Sequence, residues 1–217
     1  MAGVANYSDY RQDPWGRLQR TADFLAATSF GPAHEAQRIV DRVKAVHVKV
    51  NGVASDGRKY SATDPHLLKW VHIAEIDSFL YTYQKFSKAP LDQEGRDGYV
   101  KDAAFVARAV GVIDPPETEA ELREMIDSYR PELKSTRESR DATKYLLFKP
   151  PLPGAAKIAY WLLMVATVST LPAWTRIPLR VGYLPIIEQV IFRPLGYLMT
   201  SAIRWITSTP IDKSSNS

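Results

Sequence analysis

The 217-residue sequence contains no cysteine. That removes disulfides, zinc–thiolate sites, iron–sulfur clusters and a cysteine nucleophile together. It also lacks an uncharged stretch long enough to span a bilayer. The apolar run IAYWLLMVATVSTL, Ile158–Leu171, holds 14 residues, where about 20 are needed. A buried or interfacial helix is predicted there, and a crossing would have to pass Pro172 with a kink. The N-terminal MAGVANYSDYRQDP lacks the charged-then-apolar pattern of a secretory signal, so none is expected. There is no Gly-x-Gly-x-x-Gly, no phosphate-loop motif and no Gly-x-Ser-x-Gly, which leaves no ground for a nucleotide enzyme or a serine hydrolase. His-Glu-x-x-His is missing, and so is the Glu-x-x-His pair of dimetal helix bundles.

What is present is an ordinary globular balance, 45% hydrophobic and 24% charged, in a chain long enough for a sizeable core. The charge is unevenly spread. Residues 1–149 carry 22 Lys/Arg and 22 Asp/Glu. Residues 150–217 carry six cations, Lys157, Arg176, Arg180, Arg193, Arg204 and Lys213, against Glu188 and Asp212 alone. The whole excess of +4 therefore lies in the apolar C-terminal third. Sparse positive charge among hydrophobic runs suits an anionic lipid surface better than a nucleic-acid groove, and no nucleic-acid partner is expected. The chain is expected in the cytoplasm, with membrane association through this third.

The pattern is helical nearly throughout, without sustained period-2 alternation. Asp13-Pro14 reads as N-cap and first helical residue, with Leu18, Thr21, Ala22, Leu25 and Ala26 on the inner stripe that follows. Gly31-Pro32 ends that helix and starts the next, where Ile39, Val43, Val46, His47 and Val50 share a face. Residues 51–64 are turn-rich, with Asn51-Gly52 and Asp56-Gly57 as punctuation. Asp64-Pro65 caps a long helix that places Leu68, His72, Glu75, Ile76 and Phe79 together. Further helices are predicted after Asp92, after a capping box at Thr118–Glu121, over Ser135–Phe148, and around Ile186–Ile206 with an interruption at Pro194. The fold class is all-α: one globular helical domain over residues 1–185, followed by a C-terminal helix and frayed tail over 186–217.

Four histidines are available. His34 and His66 fall in first helical turns and are expected to be exposed and without a role. His47 and His72 lie on apolar faces of successive helices. A histidine so placed is more often a satisfied core residue than a ligand, but two of them are what an iron or another metal would use. Glu75 lies three residues from His72, on the same side of the helix. Asp77 lies five residues away, rotated by about 140°, and cannot share a small metal with His72. Arg17 and Arg20 near the start of the first helix form a pair suited to a carboxylate-bearing ligand.

The stretches GVANYSDYRQDPWGRLQRTADFL, RVKAVHVKVNG, GRKYSATDPHLLKWVHIAEIDSFLYTY, TEAELREMIDSYRPEL and PPLPGAAKIAYWLLMVATVSTLPAW, taken together and in order, resemble the family of the latex-clearing protein (rubber oxygenase) and the fungal MpaB oxygenase. The resemblance covers residues 4–185. It implies a globin-like helical fold holding haem b. It implies an oxidoreductase that uses dioxygen on an apolar, isoprenoid or otherwise unsaturated substrate, with oxidative cleavage of a carbon–carbon double bond. By order and spacing it makes His47 the proximal iron ligand, with His72 as the alternative. Lys44 and Asp77 join these two histidines in the cofactor-binding set. Arg17, Arg20 and Thr21 match the distal-side segment and are the expected catalytic residues.

Two departures from the family pattern carry expectations of their own. Rubber-cleaving members have a lysine where Arg20 stands, and that lysine can take the sixth iron position. Arginine stays protonated and cannot ligate, so an open or water-filled sixth position is expected. The family also has a further helical segment ahead of the matched stretch, so the catalytic domain is expected to be short at its N-terminus. Two other readings compete: a non-catalytic helical protein on a membrane surface, and a non-haem metal enzyme built on His47, His72 and Glu75.

Overall fold

A computed structural model of the chain describes residues 3, 7, 8, 10–54, 56–149, 152, 154–182 and 188–208. Helix α1 (Pro14–Phe30) starts as the sequence predicts: the Asp13 carboxylate accepts from the Gly16 N–H at 2.8 Å, and Pro14 occupies the first helical position. Helix α2 (Ala33–Lys49) follows directly. Next come α3 (Pro65–Phe86), α4 (Gln93–Val110), α5 (Glu119–Tyr129), a 3-10 turn (Arg130–Glu132) and α6 (Arg137–Phe148). The apolar segment forms α7 (Gly154–Thr170) and α8 (Ala173–Leu179). A π-helical stretch (Glu188–Phe192) leads into α9 (Arg193–Ser208). The all-α class holds, with one small exception.

That exception is a hairpin in the segment expected to be turns only. Strand β1 (Asn51–Val53) pairs antiparallel with β2 (Lys59–Ser61), in the register Asn51 with Ser61, Gly52 with Tyr60 and Val53 with Lys59. Strands of three residues are too short for alternation to be legible in a sequence. Asn51-Gly52 is therefore not the turn; the chain reverses between Ala54 and Arg58, whose backbones are joined by a 2.8 Å bond.

The chain divides into two compact units. The first comprises Met1–Tyr81 and Leu91–Glu138. Its core is Ile73, Ile76 and Leu80 of α3 against Val100 of α4 and Leu122 and Tyr129 of α5. The 73/76/80 spacing makes this the inward stripe of α3. The expected stripe of Leu68, His72, Glu75, Ile76 and Phe79 is thus rotated: Ile76 is shared, Phe79 is exposed, and His72 and Glu75 sit half-buried on a flank. A polar interruption of an apolar face shifted the reading by about one residue, because polar side chains tolerate the edge of a buried stripe and isoleucine does not.

Two other stripes move in the same way. On α2, Val40 is the buried residue, Ile39, Val43 and His47 are half-buried, and Val46 is exposed. On α1 no residue is fully buried. The partly covered side is Phe24, Leu25, Ala27 and Thr28, while Leu18, Thr21, Ala22 and Ala26 face water. Gly111 ends α4 in the left-handed region (φ 113°), and its N–H and that of Val112 close the last turn onto Ala107 and Arg108.

The second unit comprises Thr82–Pro90 and Ser139–Ser217. Here α9 packs on α7. It also meets the last turn of α3: Gly196 lies where a Cβ would come within 2.5 Å of the Phe86 ring, so only glycine permits the approach. The Arg204 guanidinium donates to the Phe86 carbonyl at 2.7 Å and the Tyr197 hydroxyl to the Lys85 carbonyl at 2.8 Å, satisfying the C-terminal carbonyls of α3. The helical run breaks at Pro194 as expected: the π turn ends at Phe192 and α9 begins at Arg193, which puts Pro194 in its first turn, where a missing N–H is tolerated. Residues 183–187, 150, 151 and the tail 209–217, on which parts of the C-terminal reading fall, lie outside the described residues.

Among the described residues no single helix is long and apolar enough to cross a membrane. Tyr160–Thr170 and Ala173–Leu179 meet the length and composition only as a pair, bent by 117° at the expected kink beside Pro172. Arg176, counted among the cations that could face a lipid surface, does not do so: it is buried and paired with Glu188.

Candidate active site

Helix α3 brings two titratable groups to one flank. The His72 Nε2 atom is buried and has no hydrogen-bond partner. Burial strips the ring of the water that would stabilise a charge and pushes its pKa down to about 4, so the imidazole is neutral at pH 7. Glu75, one turn on, is held above the usual carboxylate range by the same loss of solvent. Tyr99 of α4 is pushed up to about 12, first by burial and then by the negative charge of Glu75. Glu75 and Tyr99 therefore feel one another across the α3–α4 contact. Sequence reasoning missed Tyr99, whose only signal is its place on α4 beside Val100.

Asp77 belongs to a different cluster. Burial raises its pKa, Arg123 opposes the shift and Glu119 reinforces it. Glu119, buried at the start of α5, accepts from Arg96 Nε at 2.8 Å, Arg123 at 2.5 Å and Gln93 at 3.3 Å. Its own backbone N–H donates to Asp97 at 2.8 Å. Burial raises the Glu119 pKa, but the two arginines and Gln93 outweigh it and the net shift is downward. This network ties α4 to α5, and Asp77 sits at its margin rather than at His72. At the capping box, the Thr118 hydroxyl accepts from the Glu121 N–H as expected, but the Glu121 carboxylate takes the Glu117 N–H instead of returning to Thr118.

His47 is half-buried on α2, and loss of solvent lowers its pKa too. Lys44 is exposed on the same helix. Arg17, Arg20 and Thr21 stand on the exposed early turns of α1. Arg20 pairs with Asp13 at 3.2 Å, and the Thr21 hydroxyl donates to the Arg17 carbonyl at 3.0 Å. A site made of His47, His72 and Glu75 on one small metal ion is not formed: among the described residues no three His, Asp or Glu side chains gather closely enough.

His34 is exposed, as expected. His66 is exposed as well, yet it has a structural role. Its ring stacks on Tyr129 at 4.4 Å, Nε2 meets Glu132 at 2.9 Å, and the Tyr129 hydroxyl returns a bond to the His66 carbonyl at 2.9 Å. Trp70, one turn along, stacks on the same tyrosine at 5.5 Å.

Burial of a neutral His72 has a thermodynamic signature. In the unfolded chain the ring protonates near pH 6.5, in the ligand-free fold only near 4. Between these values the unfolded state binds the proton that the folded state refuses. The stability linked to His72 is therefore full above pH 6.5 and falls as pH drops towards 4. Glu75 works the other way, its cost appearing as pH rises. Comparing the chain with His72→Leu isolates the histidine: the gap between the two unfolding free energies should change by about 1–2 kcal/mol from pH 7 to pH 4.5, after allowing for partial solvent access. A parallel pair of pH profiles would refute the burial.

The family model for the catalytic domain of the ER-bound oxygenase mpaB/B' and rubber oxygenase matches residues 1–201. No curated protein and no solved structure is similar enough to the chain to be matched to it. A match over that length, ending inside α9 and spanning both histidine-bearing helices, is sufficient: the chain belongs to the oxygenase family of mpaB and rubber oxygenase, as a catalytic domain.

Proposed function

We propose that the chain is a haem-b-dependent oxygenase that uses dioxygen on an apolar, unsaturated substrate, with cleavage of a carbon–carbon double bond as the reaction. The observation that carries the haem is the His72 Nε2 atom, buried, neutral and without a partner. An unmet buried nitrogen costs about 1–3 kcal/mol, and a neutral imidazole nitrogen is what a haem iron accepts. A lone histidine also suits haem better than a bare metal ion, because the macrocycle supplies four nitrogens and the protein need add only one. That favours His72 over His47 as the ligand, the reverse of the order the resemblance implies.

When bound, haem supplies the iron at which dioxygen is activated. The chain supplies the surroundings. His72 stays unprotonated down to about pH 4 and so keeps its lone pair. Tyr99 stays a phenol at any ordinary pH. Glu75, its pKa raised by burial, stands on the flank it shares with His72. Arg17 and Arg20, the latter already paired with Asp13, would be the permanent cations that could meet the carboxylates of the group, and neither could itself ligate iron. Haem titrated into the purified chain should give a saturable Soret band at about one equivalent, five-coordinate or water-ligated in the ferric state. Metal analysis with no Soret band would sink this reading, and a spectrum with two nitrogen ligands would refute the open sixth position.

A further inference from the structure

Helix α1 has no fully buried residue, and it packs chiefly on α2. The half-buried Phe24, Leu25, Ala27 and Thr28 mark its covered side. The opposite side is apolar as well. At about 100° per residue, Trp15, Leu18, Ala22, Ala26, Ser29 and Phe30 fall in one arc of about 120° that runs the length of the helix. All six are exposed, Trp15 by 56%, Leu18 by 60% and Phe30 by 92%. Gln19 completes the arc, its amide held by Asp23 at the edge at 2.7 Å, and no charged residue stands within it. Exposed apolar residues need no explanation when scattered singly. An uncharged stripe more than about four turns long does, because a helix apolar on both sides is a helix covered on both sides.

The bulk along this stripe is graded. Trp15 and Leu18 fill its first turns, and Ala22, Ala26 and Ser29 leave the following turns shallow until Phe30 closes them. Ala22 is the midpoint of Pro14–Phe30. Two copies of α1 laid antiparallel about Ala22 therefore set large against small. Trp15 meets Ser29 of the partner subunit, Leu18 meets Ala26 of the partner subunit, and the two Ala22 residues meet at the two-fold axis. A parallel pair would stack Trp15 on its own copy and Phe30 on its own copy, and hold the alanines apart over a gap. The exposed apolar surface of the stripe amounts to roughly 500 Å² per copy. Pairing two copies buries about 1,000 Å², the lower limit for a specific interface.

We propose that the outer stripe of α1 is a self-association surface, on which a second copy of the chain seats its own α1 antiparallel, in a reversible two-fold dimer. A two-fold contact uses the same patch on both copies and must be self-complementary, which the graded stripe is. Central alanines let the helix axes approach to about 8 Å, the close end of helix packing. Arg17, Arg20 and Thr21 stand about 140° to 240° round the helix from Trp15, so pairing covers α1 from behind and leaves those three facing their own copy. The seam is uncharged and lies in the first unit. It does not call on the second, basic unit, with its 11 Lys/Arg against 3 Asp/Glu.

The test is sedimentation velocity of the full chain in lipid-free buffer. An interface of this size holds in the micromolar range. Between about 1 and about 200 µM the mass should rise from 24.4 kDa towards twice that value, and added salt should not weaken the association. Ala22→Glu sets two carboxylates face to face at the two-fold axis and should weaken the dimer at least about tenfold. Trp15→Ala should weaken it about tenfold. Both positions are exposed in the single chain, and circular dichroism checks that helicity is kept. The chain has no cysteine, so single cysteines report the register. Under oxidising conditions Ala22→Cys should form a covalent dimer. Ala26→Cys should not, because antiparallel pairing holds its two copies about 12 Å apart along the seam, beyond the reach of a disulfide. A mass that stays at 24.4 kDa across the range would overturn the proposal. So would association that Ala22→Glu leaves unchanged, or equal cross-linking of Ala22→Cys and Ala26→Cys. None of these readouts requires haem, so the outcome is independent of the oxygenase chemistry.

Discussion

Substitution of His72 by alanine should abolish the Soret band of the haem-loaded protein, while His47→Ala retains it. Loss of a residue that merely orients a metal ligand costs about 10–100-fold in affinity, and loss of the ligand itself should cost more. The expected asymmetry rests on solvent access. His72 has a sealed, unpaired Nε2 and a pKa near 4; His47 is half-buried, with its pKa lowered by a smaller loss of solvent. The variants are distinguishable from unfolded protein by their helicity. Deleting an imidazole that has no hydrogen-bond partner should leave the haem-free fold intact or slightly more stable at acid pH. Two further readouts complete the test. Added imidazole should restore a Soret band to His72→Ala by occupying the vacated space, and Glu75→Gln should leave the band in place because Glu75 is not a ligand. If His47→Ala loses the band and His72→Ala keeps it, the iron ligand is His47 and the order implied by the family resemblance is correct.

The helices were legible because their ends carry local signals. Asp13, Asp64, Asp92 and Thr118 each accept a backbone N–H at the start of a helix, and Gly31 and Pro32 mark the end of α1 and the start of α2 without a side-chain cap. The faces were less legible. Periodicity alone put Phe79 and Val46 inward, and both are exposed. In α3 the stripe Ile73/Ile76/Leu80 competes with a second apolar row only one position away, and tertiary packing against Val100 and Leu122 decides between them. The hairpin at 51–61 was invisible because three-residue strands have no period to read. Helix geometry did separate Asp77 from His72. What Asp77 does instead depends on Arg123 and Glu119, some 40 residues away in sequence, and no local pattern announces such a contact. The unpaired state of His72 Nε2 is equally non-local, since it is defined by what the neighbouring helices fail to offer.

Glu188→Ala should destabilise the basic unit by about 3–5 kcal/mol, the usual cost of removing one partner from a buried ion pair. The Arg176 side chain is 3% exposed and that of Glu188 11%. Arg176 also donates from Nε to the Leu171 carbonyl at 2.9 Å and approaches the Ser169 carbonyl at 3.5 Å. Lys85 Nζ reaches that second carbonyl at 2.7 Å. The pair thus satisfies the end of α7 where the chain bends at Pro172, and Glu188 balances the buried charge of Arg176. Without Glu188 the guanidinium stays charged, because arginine cannot shed its proton, and it must either move into water or remain uncompensated. Movement would free the α7 carbonyls and loosen the α7–α8 bend. The melting temperature of the full chain should fall by about 10 °C, with helicity lost from this unit first. Arg176→Met with Glu188→Leu removes both charges at once and should recover much of the loss, because a well-packed apolar pair replaces a buried ion pair at little net cost. If the double variant is as unstable as Glu188→Ala, the arginine's bonds to the α7 carbonyls, rather than its charge balance with Glu188, hold the bend.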